Sequence, residues 1–416
     1  MPDHAEPLIL VFNAGSSSVK FGLYQFDSLE VLGSGLLDFS GGTDSHRATL
    51  TLSPRDQSPQ RLELDAPDYG TGVRHALVAL GTSGLVDKEL RAVRAVGHRL
   101  IHGGEKIRTP VLIDAAMKET IRQFAHLAPL HIPAGLETIA ACEAALPAAV
   151  QVGVFDTAFF ADIPPVAYLY PVPYQWYQDW GIRRFGFHGT SHAYCTTQAT
   201  EMLGRQADDS LCLVICHLGH GSSATAVRGG VAVTNTMGYT PLEGFMMGTR
   251  SGSVDPGILL HVLRERGMSV EQLDEALHKQ SGLLGISGVS ADFRRVELAA
   301  AEGNPRAQLA LGMYAYRVRA MIGALAVTLG RIDGLVFTGG IGENSVLLRQ
   351  DICQGLECIG VRLDLDRNAT ARPDADIAQD ASAARVLLIR TREEYMIASQ
   401  TRQTVESQEA RAESQA

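Results

Sequence analysis

The chain has 416 residues, 45% of them hydrophobic, and a formal net charge of −10. That length predicts two domains, and the acidic balance argues against nonspecific binding to nucleic acid or an anionic membrane. No stretch approaches the ~20 apolar residues of a membrane span. The start Met1-Pro2-Asp3-His4-Ala5-Glu6 lacks the basic opening of a signal peptide, and six cysteines without Cys-x-x-Cys spacing predict a reduced, cytoplasmic setting.

The first apolar run, Leu8 to Phe12, predicts a buried strand. It enters Asn13-Ala14-Gly15-Ser16-Ser17-Ser18-Val19-Lys20 and leaves as a second strand over 19–26. Small residues let backbone N–H groups approach an anion, hydroxyls add donors, and Lys20 adds a point charge. Such a turn can grip phosphate. It is not a P-loop, because the Gly-Lys-Ser/Thr spacing is absent and no helix follows. Taken alone, it is better read as an ordinary polar hairpin. Further strands are predicted over 48–52 and 93–97, and helices over 70–81, 114–126 and 133–146. Pro133 stands in the first turn of the last helix and Pro147 beyond its end. A strand over 151–155 runs into Asp156, and the alternation predicts mixed α/β structure.

An internal echo follows. Residues 211–216 form a second buried run, which enters His217-Leu218-Gly219-His220-Gly221-Ser222-Ser223 and leaves through Ala224 to Val227. Superposing Gly15 on Gly219 aligns strand, small-residue turn and strand, which predicts two related domains. A third glycine-rich turn, Thr338 to Asn344, follows the strand 335–337 and precedes a helix-like run through Leu347 and Leu348. A strand–glycine–helix junction can hold a nucleotide. The segment 366–382 predicts a surface loop, and the last dozen residues a frayed tail.

Several loops place a basic residue among glycines or prolines. Arg99 precedes Gly103-Gly104, His131 lies between Pro129 and Pro133, His188 lies between Gly186 and Gly189, and Arg250 lies between Gly248 and Gly252. His98, His102 and His192 read as structural, each satisfying a buried partner. His188 and His192 are four apart, but Gly189 intervenes and no Glu follows, so a zinc helix is not indicated. Met246-Met247 reads as core. Arg99 and Arg250 are harder to assign to structure.

On these residues the chain resembles the acetokinase family of the sugar kinase/Hsp70/actin superfamily. The matching segments are Asn13 to Lys20, Gly97 to Glu105, Ala128 to Pro133, Phe155 to Phe159, Phe185 to His192, Thr240 to Gly252, Ser290 to Arg294, Gly339 to Asn344 and Arg392 to Glu394, in family order. The resemblance implies two actin-like (ribonuclease H-like) domains flanking a nucleotide and substrate cleft. The first would comprise 1–160 with a returning helix 394–416, and the second 161–393, the latter binding nucleotide and forming a homodimer. It also implies reversible, direct in-line phosphoryl transfer from ATP to acetate, giving acetyl phosphate and ADP.

Carried over by residue, the resemblance assigns catalysis to Arg99, Asp156, His188 and Arg250. The acetate pocket would be Arg99, Ile101, Leu130, His131, Phe187 and Pro241. Nucleotide would meet Ser16, Ser18, Lys20, His217, Leu218, Gly219, His220, Gly221, Asp292, Phe293, Arg294, Gly340, Ile341, Gly342, Glu343 and Asn344. Asn13 and Glu393 would organise Mg²⁺, with Mn²⁺ as a substitute. A propionate or other short-chain acid kinase, and an ATP-gated Hsp70- or actin-like module, are the alternatives. The chain departs from the family at His220, where Asn is usual, at Ser253, where Asp is frequent, and at Phe160, where His is frequent. Imidazole at His220 would make phosphate binding depend on pH, weakening it at alkaline pH. Ile101, in place of a smaller Val, would favour acetate over propionate.

Overall fold

The computed structural model describes all residues except 1–5, 16, 40–46, 56, 88–89, 129–130, 207–209 and 416. Ser16 and Leu130, both expected at the site, therefore lie outside the described residues. The chain divides into two compact units: residues 1–158 with 392–416, and residues 159–391.

Unit 1 holds β1 (Leu8–Ala14), β2 (Ser18–Gln25), β3 (Val31–Asp38), β4 (Arg47–Pro54), β5 (Gln60–Asp65), β6 (Val93–Leu100), β7 (Val111–Leu112) and β8 (Val150–Phe155). They form one sheet in the order β5-β4-β3-β2-β1-β6-β8-β7. All seven residues of β1 are buried, as expected of a central strand covered on both faces. Alternate residues face opposite ways. Leu8, Leu10 and Phe12 pack with Val73, Ala76 and Leu77 of the helix Tyr69–Thr82, while Ile9 and Val11 pack with Ile397, Ala398 and Val405 of the helix Glu393–Gln415. The latter helix lies so close to β6 that a Cβ on Gly97 would stand 2.2 Å from Thr401 Oγ1. Glycine is required there by that close approach.

Unit 2 holds β9 (Cys212–Leu218), β10 (Ser222–Arg228), β11 (Val231–Asn235), β12 (Gly334–Thr338), β13 (Ala375–Asp376) and β14 (Arg385–Leu388), ordered β11-β10-β9-β12-β14-β13. Its core packs β9 and β12 against Tyr314, Val318, Ile322 and Leu325 of the long helix Pro305–Leu329. In each sheet an antiparallel hairpin (β1–β2, β9–β10) adjoins two parallel strands (β6 and β8, β12 and β14) and then a short antiparallel edge (β7, β13). The echo seen between the two hairpins thus extends across six strands of each sheet.

Three sequence expectations need correction. Segment 366–382 is not a plain surface loop: it carries most of the helix Leu365–Thr370 and all of β13. Buried Arg349 needs acceptors there, and Asn368 supplies its side-chain oxygen at 2.7 Å and its carbonyl at 3.1 Å, while Ile377 and Ala378 enter the core. The last dozen residues are not frayed but continue a helix to Gln415. Val405 of that helix is buried, and Arg94 Nη2 holds Glu409 at 2.5 Å. Gly339 to Asn344 is itself a short helix rather than a turn before one.

Candidate active site

In unit 1 the sheet register gathers the candidates. Lys20 on β2 stands opposite Asn13 on β1, Asn13 stands beside Arg99 on β6, and Arg99 stands beside Val154, two residues before Asp156. β1, β6 and β8 run parallel, so Asn13, Arg99 and Asp156 gather at the carboxyl ends of these strands, where α/β sheets present ligand groups, with Lys20 level with them near the start of antiparallel β2. Arg99 grips Asp156 in a two-point fork, Nε to Oδ1 at 3.0 Å and Nη2 to Oδ2 at 2.5 Å. Its Nη1 donates to Asn13 Oδ1 at 2.9 Å. The Asn13 amide in turn donates to Glu393 Oε2 and Glu394 Oε1, each at 3.1 Å. Asp156 is fully buried. Burial works against the Arg99 charge, but Asp156, Glu393 and Glu394 outweigh it and hold the guanidinium more firmly protonated than usual. Lys20 is exposed and Ser18 half-buried.

His131 stands half-buried just before the helix Ile132–Ala145, and Ile101 packs against Leu100, Ile107 and Phe155. His98 and His102 are core residues. His98 Nε2 pairs with Gln151 Oε1 at 2.8 Å, and Nδ1 of His102 accepts from the Gly104 N–H at 2.9 Å. Burial lowers the His98 pKa to about 4 and that of His102 to about 3.

These two values carry a stability prediction. An unfolded histidine titrates near 6.5, so between about pH 6.5 and 4 the unfolded chain binds more protons than the folded one. Stability is therefore complete above that window and falls as pH drops through it. Each of these histidines should cost about 2 kcal/mol by pH 5. Denaturant unfolding followed at pH 7 and pH 5 measures this, and equal midpoints would contradict it.

In unit 2, His188 precedes the helix Gly189–Met202 with φ 61° and ψ 31°. A non-glycine residue in the left-handed region stores strain and marks a place where aim matters. Its Nδ1 lies 2.9 Å from Ser223 Oγ, and the His217 ring lies 4.4 Å away. Gly221 reveals the aim. A Cβ built there would stand 3.1 Å from both His188 Nε2 and Arg250 Nη2, so both side chains face this glycine. Arg250 donates through Nη1 to the Pro241 carbonyl at 2.8 Å. Among the described residues no carboxylate lies within ion-pair distance of it, and burial alone lowers its pKa. Phe187 is fully buried and Pro241 half-buried.

The nucleotide candidates adjoin one another in unit 2. A Cβ on Gly339, whose φ is +78°, would stand 2.7 Å from the Leu218 carbonyl, and one on Gly219 would stand 4.0 Å from Gly340 N. Glu343 Oε1 accepts from the backbone N–H groups of Gly339 at 3.1 Å and Thr391 at 2.9 Å, and Asn344 Nδ2 donates to the Gly340 carbonyl at 2.8 Å. Asp292 caps the helix Phe293–Ala301 and pairs with Arg294, while Phe293 packs edge-on against Tyr314. Gly342 is buried, and Ile341 packs on the core.

His220 is exposed, yet its imidazole lies against Gly248, where a Cβ would meet Nδ1 at 2.8 Å. Desolvation and the Arg250 charge lower its pKa, with Asp292 opposing. That shift disfavours the charged imidazole, the form on which the weakening at alkaline pH expected from sequence depends. Phe160 packs edge-on against His192 at 5.9 Å, and Ser253 Oγ accepts from the Gly244 N–H.

Sequence reasoning left out Glu394, although it adjoins Glu393, and Thr391, whose hydroxyl donates to Ser191 Oγ at 2.9 Å while Ser191 Oγ pairs with His217 Nδ1 at 2.8 Å. The Glu393-Glu394 doublet was a usable signal. Thr391 has none.

Two sheets of one strand order, each beginning at a small-residue hairpin, define the actin-like class of α/β proteins. The sequence profile of the Acetokinase family matches residues 8–399, and the chain belongs to that family. It is 46% identical over 396 residues to the acetate kinase of Microcystis aeruginosa, covering 94% of this chain and 98% of the relative. Among solved structures it is similar to the acetate kinase of Porphyromonas gingivalis, with TM-score 0.89 and 41% identity over 96% of this chain and 100% of the other. It is also similar to a propionate kinase from Francisella tularensis, with TM-score 0.87 and 36% identity over 95% and 99% of the two chains. Among the described residues no helix is long and apolar enough to cross a membrane.

Proposed function

We propose that the protein transfers the γ-phosphoryl group of ATP to acetate, reversibly and directly, giving acetyl phosphate and ADP. The observation that carries this reading is Arg250, a desolvated guanidinium with no carboxylate partner among the described residues. A part-buried, desolvated charge without a counter-charge calls for an anionic ligand.

Phosphoryl transfer runs through a loose, in-line transition state, so catalysis consists of positioning and charge neutralisation. Arg250 and Arg99 hold the acetate carboxylate and the moving phosphoryl group, and His188 donates a hydrogen bond to that group. His131 supports the acceptor. Asp156 orients Arg99 rather than taking a proton, because both of its oxygens engage the guanidinium. No base is required, since a carboxylate acceptor with a pKa of roughly 4–5 is already ionised at neutral pH. Lys20, Ser16, Ser18 and the backbone of 217–221 meet the phosphates, while Asp292 to Arg294 and Gly340 to Asn344 frame the adenosine.

The donor set at Asn13 suits a hard divalent cation. The carboxylates of Glu393 and Glu394 flank its amide. Mg²⁺ is commonly held by one or two carboxylates together with substrate phosphates. Glu393 and Asn13 would hold it, with Mn²⁺ able to replace it, and when bound it neutralises developing phosphate charge. We further propose a cytoplasmic homodimer joined through unit 2.

The test is an assay trapping acyl phosphate with hydroxylamine in the presence of ATP, Mg²⁺ and acetate. Acetate-dependent hydroxamate is expected, and its absence removes the reading. ATP turnover without an acid acceptor would instead favour the ATP-gated module.

We assign acceptor size to Ile101, with Leu130, Phe187 and Pro241 as the other apolar residues of the proposed pocket. One methylene in an apolar pocket is worth about 1–3 kcal/mol. The Ile101→Ala enzyme should therefore gain on the order of 10-fold in its kcat/KM ratio for propionate over acetate. An unchanged ratio would place size selection elsewhere and reopen the propionate alternative.

A further inference from the structure

Ser223 Oγ stands between two histidine nitrogens, His188 Nδ1 at 2.9 Å and His192 Nε2 at 2.8 Å. Ser223 and His192 are fully buried. A hydroxyl carries one proton, so it can donate to only one of these nitrogens. Among the described residues Nδ1 of His192 has no hydrogen-bond partner, and that atom decides the direction of the pair.

If the hydroxyl donates to His192 Nε2, the neutral His192 ring must carry its proton on Nδ1, leaving a buried N–H unpaired. If the hydroxyl accepts from both rings, its own proton is left without a partner. If instead His192 Nε2–H donates to Ser223, and the hydroxyl donates to His188 Nδ1, every proton in the chain is paired. Only the Nδ1 lone pair of His192 then remains unused, and buried unpaired donors are rarer than under-used acceptors. We infer that Ser223 and His192 are positioning residues that fix His188 as the neutral tautomer with its proton on Nε2.

Several features agree with this direction. Burial, with the adjacent His217, holds the His192 pKa well below its ordinary value, so His192 is a neutral ring with one proton to place. The Arg250 guanidinium, a fixed positive charge, stands at the same glycine as His188 Nε2. The strained backbone of His188 sets the direction of Nε2, and the relay sets what that atom carries. A fixed N–H and a guanidinium N–H then face the same glycine, as two donors for one anion. His188 is on this account a donor and not a base. The tautomer itself does not depend on the proposed reaction; only the identity of the acceptor rests on that reading.

The experiment uses the full-length protein labelled with ¹⁵N-histidine, recording long-range ¹H–¹⁵N spectra at neutral pH, with His188 assigned by its loss in His188→Asn. The expected wild-type signature is a pyridine-type resonance at Nδ1 and a pyrrole-type resonance at Nε2. A pyrrole-type Nδ1 in the wild type overturns the inference, whatever any variant does. Ser223→Ala should give a mixture of tautomers and a fall in kcat on the order of 10-fold, with KM for ATP little changed. An unaltered His188 signature in a folded Ser223→Ala protein also overturns it. His192→Gln keeps a donor near the Nε2 position and should preserve the signature that His192→Leu loses; an identical signature in both refutes the part assigned to His192. A wild-type Nε2–H signature in a protein making no acetate-dependent hydroxamate would keep the relay and remove the proposed reaction. The opposite pair of results would do the reverse.

Discussion

Asp156→Asn is expected to lower kcat by about 10²- to 10³-fold and to destabilise unit 1 by roughly 3 kcal/mol. The carboxylate is fully buried, and both of its oxygens are bound by Arg99. The amide keeps one acceptor for the fork but removes the charge, leaving a largely buried guanidinium matched only by the Glu393 and Glu394 carboxylates beyond Asn13. Breaking a buried pair costs more than the pair contributes, because an unbalanced charge remains. The rate falls because Arg99 loses its fixed direction. No new pH dependence should appear, since the acceptor is ionised without help. Steady-state rates across pH 6 to 8, set beside urea unfolding, check both parts. If the variant loses the acidic limb of the wild-type pH–rate profile, Asp156 is a proton acceptor after all.

Arg250→Ala should behave differently. Its kcat is expected to fall on the order of 10³-fold, while the melting temperature stays level or rises. Arg250 makes one hydrogen bond, to a carbonyl, and has no carboxylate partner among the described residues, so in the ligand-free protein its charge is a burden rather than a brace. Removing a desolvated, unmatched charge can stabilise a fold while removing function. Activity and thermal unfolding on the same preparation suffice. A drop of several degrees would show that the guanidinium serves the fold, and the anion-receptor reading of unit 2 would lose its main support. The two arginines thus look alike in sequence, each bracketed by glycine, and differ in kind once their partners are known.

Much of this was legible in the chain, for reasons that differ by element. β1 and β9 announce themselves as unbroken apolar runs, since strands covered on both faces need no polar alternation. β3 escaped because Gly33, Ser34 and Gly35 interrupt its pattern, and β5 because it is largely exposed. The end of the chain misled through composition: Glu, Gln, Ser and Ala suggest a tail, yet Glu, Gln and Ala also suit a helix whose first turns are buried. In the site, Arg99 and Arg250 stood out because guanidinium groups among glycines are unusual in an acidic protein. What did not stand out was pairing. Nothing near His188 points to a serine 35 residues away, and His192 one turn further along its helix has the features of an ordinary core histidine. Nor does the sequence reveal that Asn13, Lys20 and Arg99 fall level on three adjacent strands, because register is a property of the sheet.

The helix over Gly97 has a bearing on how the molecule is made. Ile9 and Val11 leave the ribosome long before the helix that covers them: that helix, carrying Ile397, Ala398 and Val405, emerges only after all of unit 2 has been synthesised. Unit 2 is a single continuous segment and can close on itself during translation. Unit 1 must wait, with one apolar face of its sheet bare through more than two hundred residues of synthesis. That interval is when this chain is most in need of a chaperone.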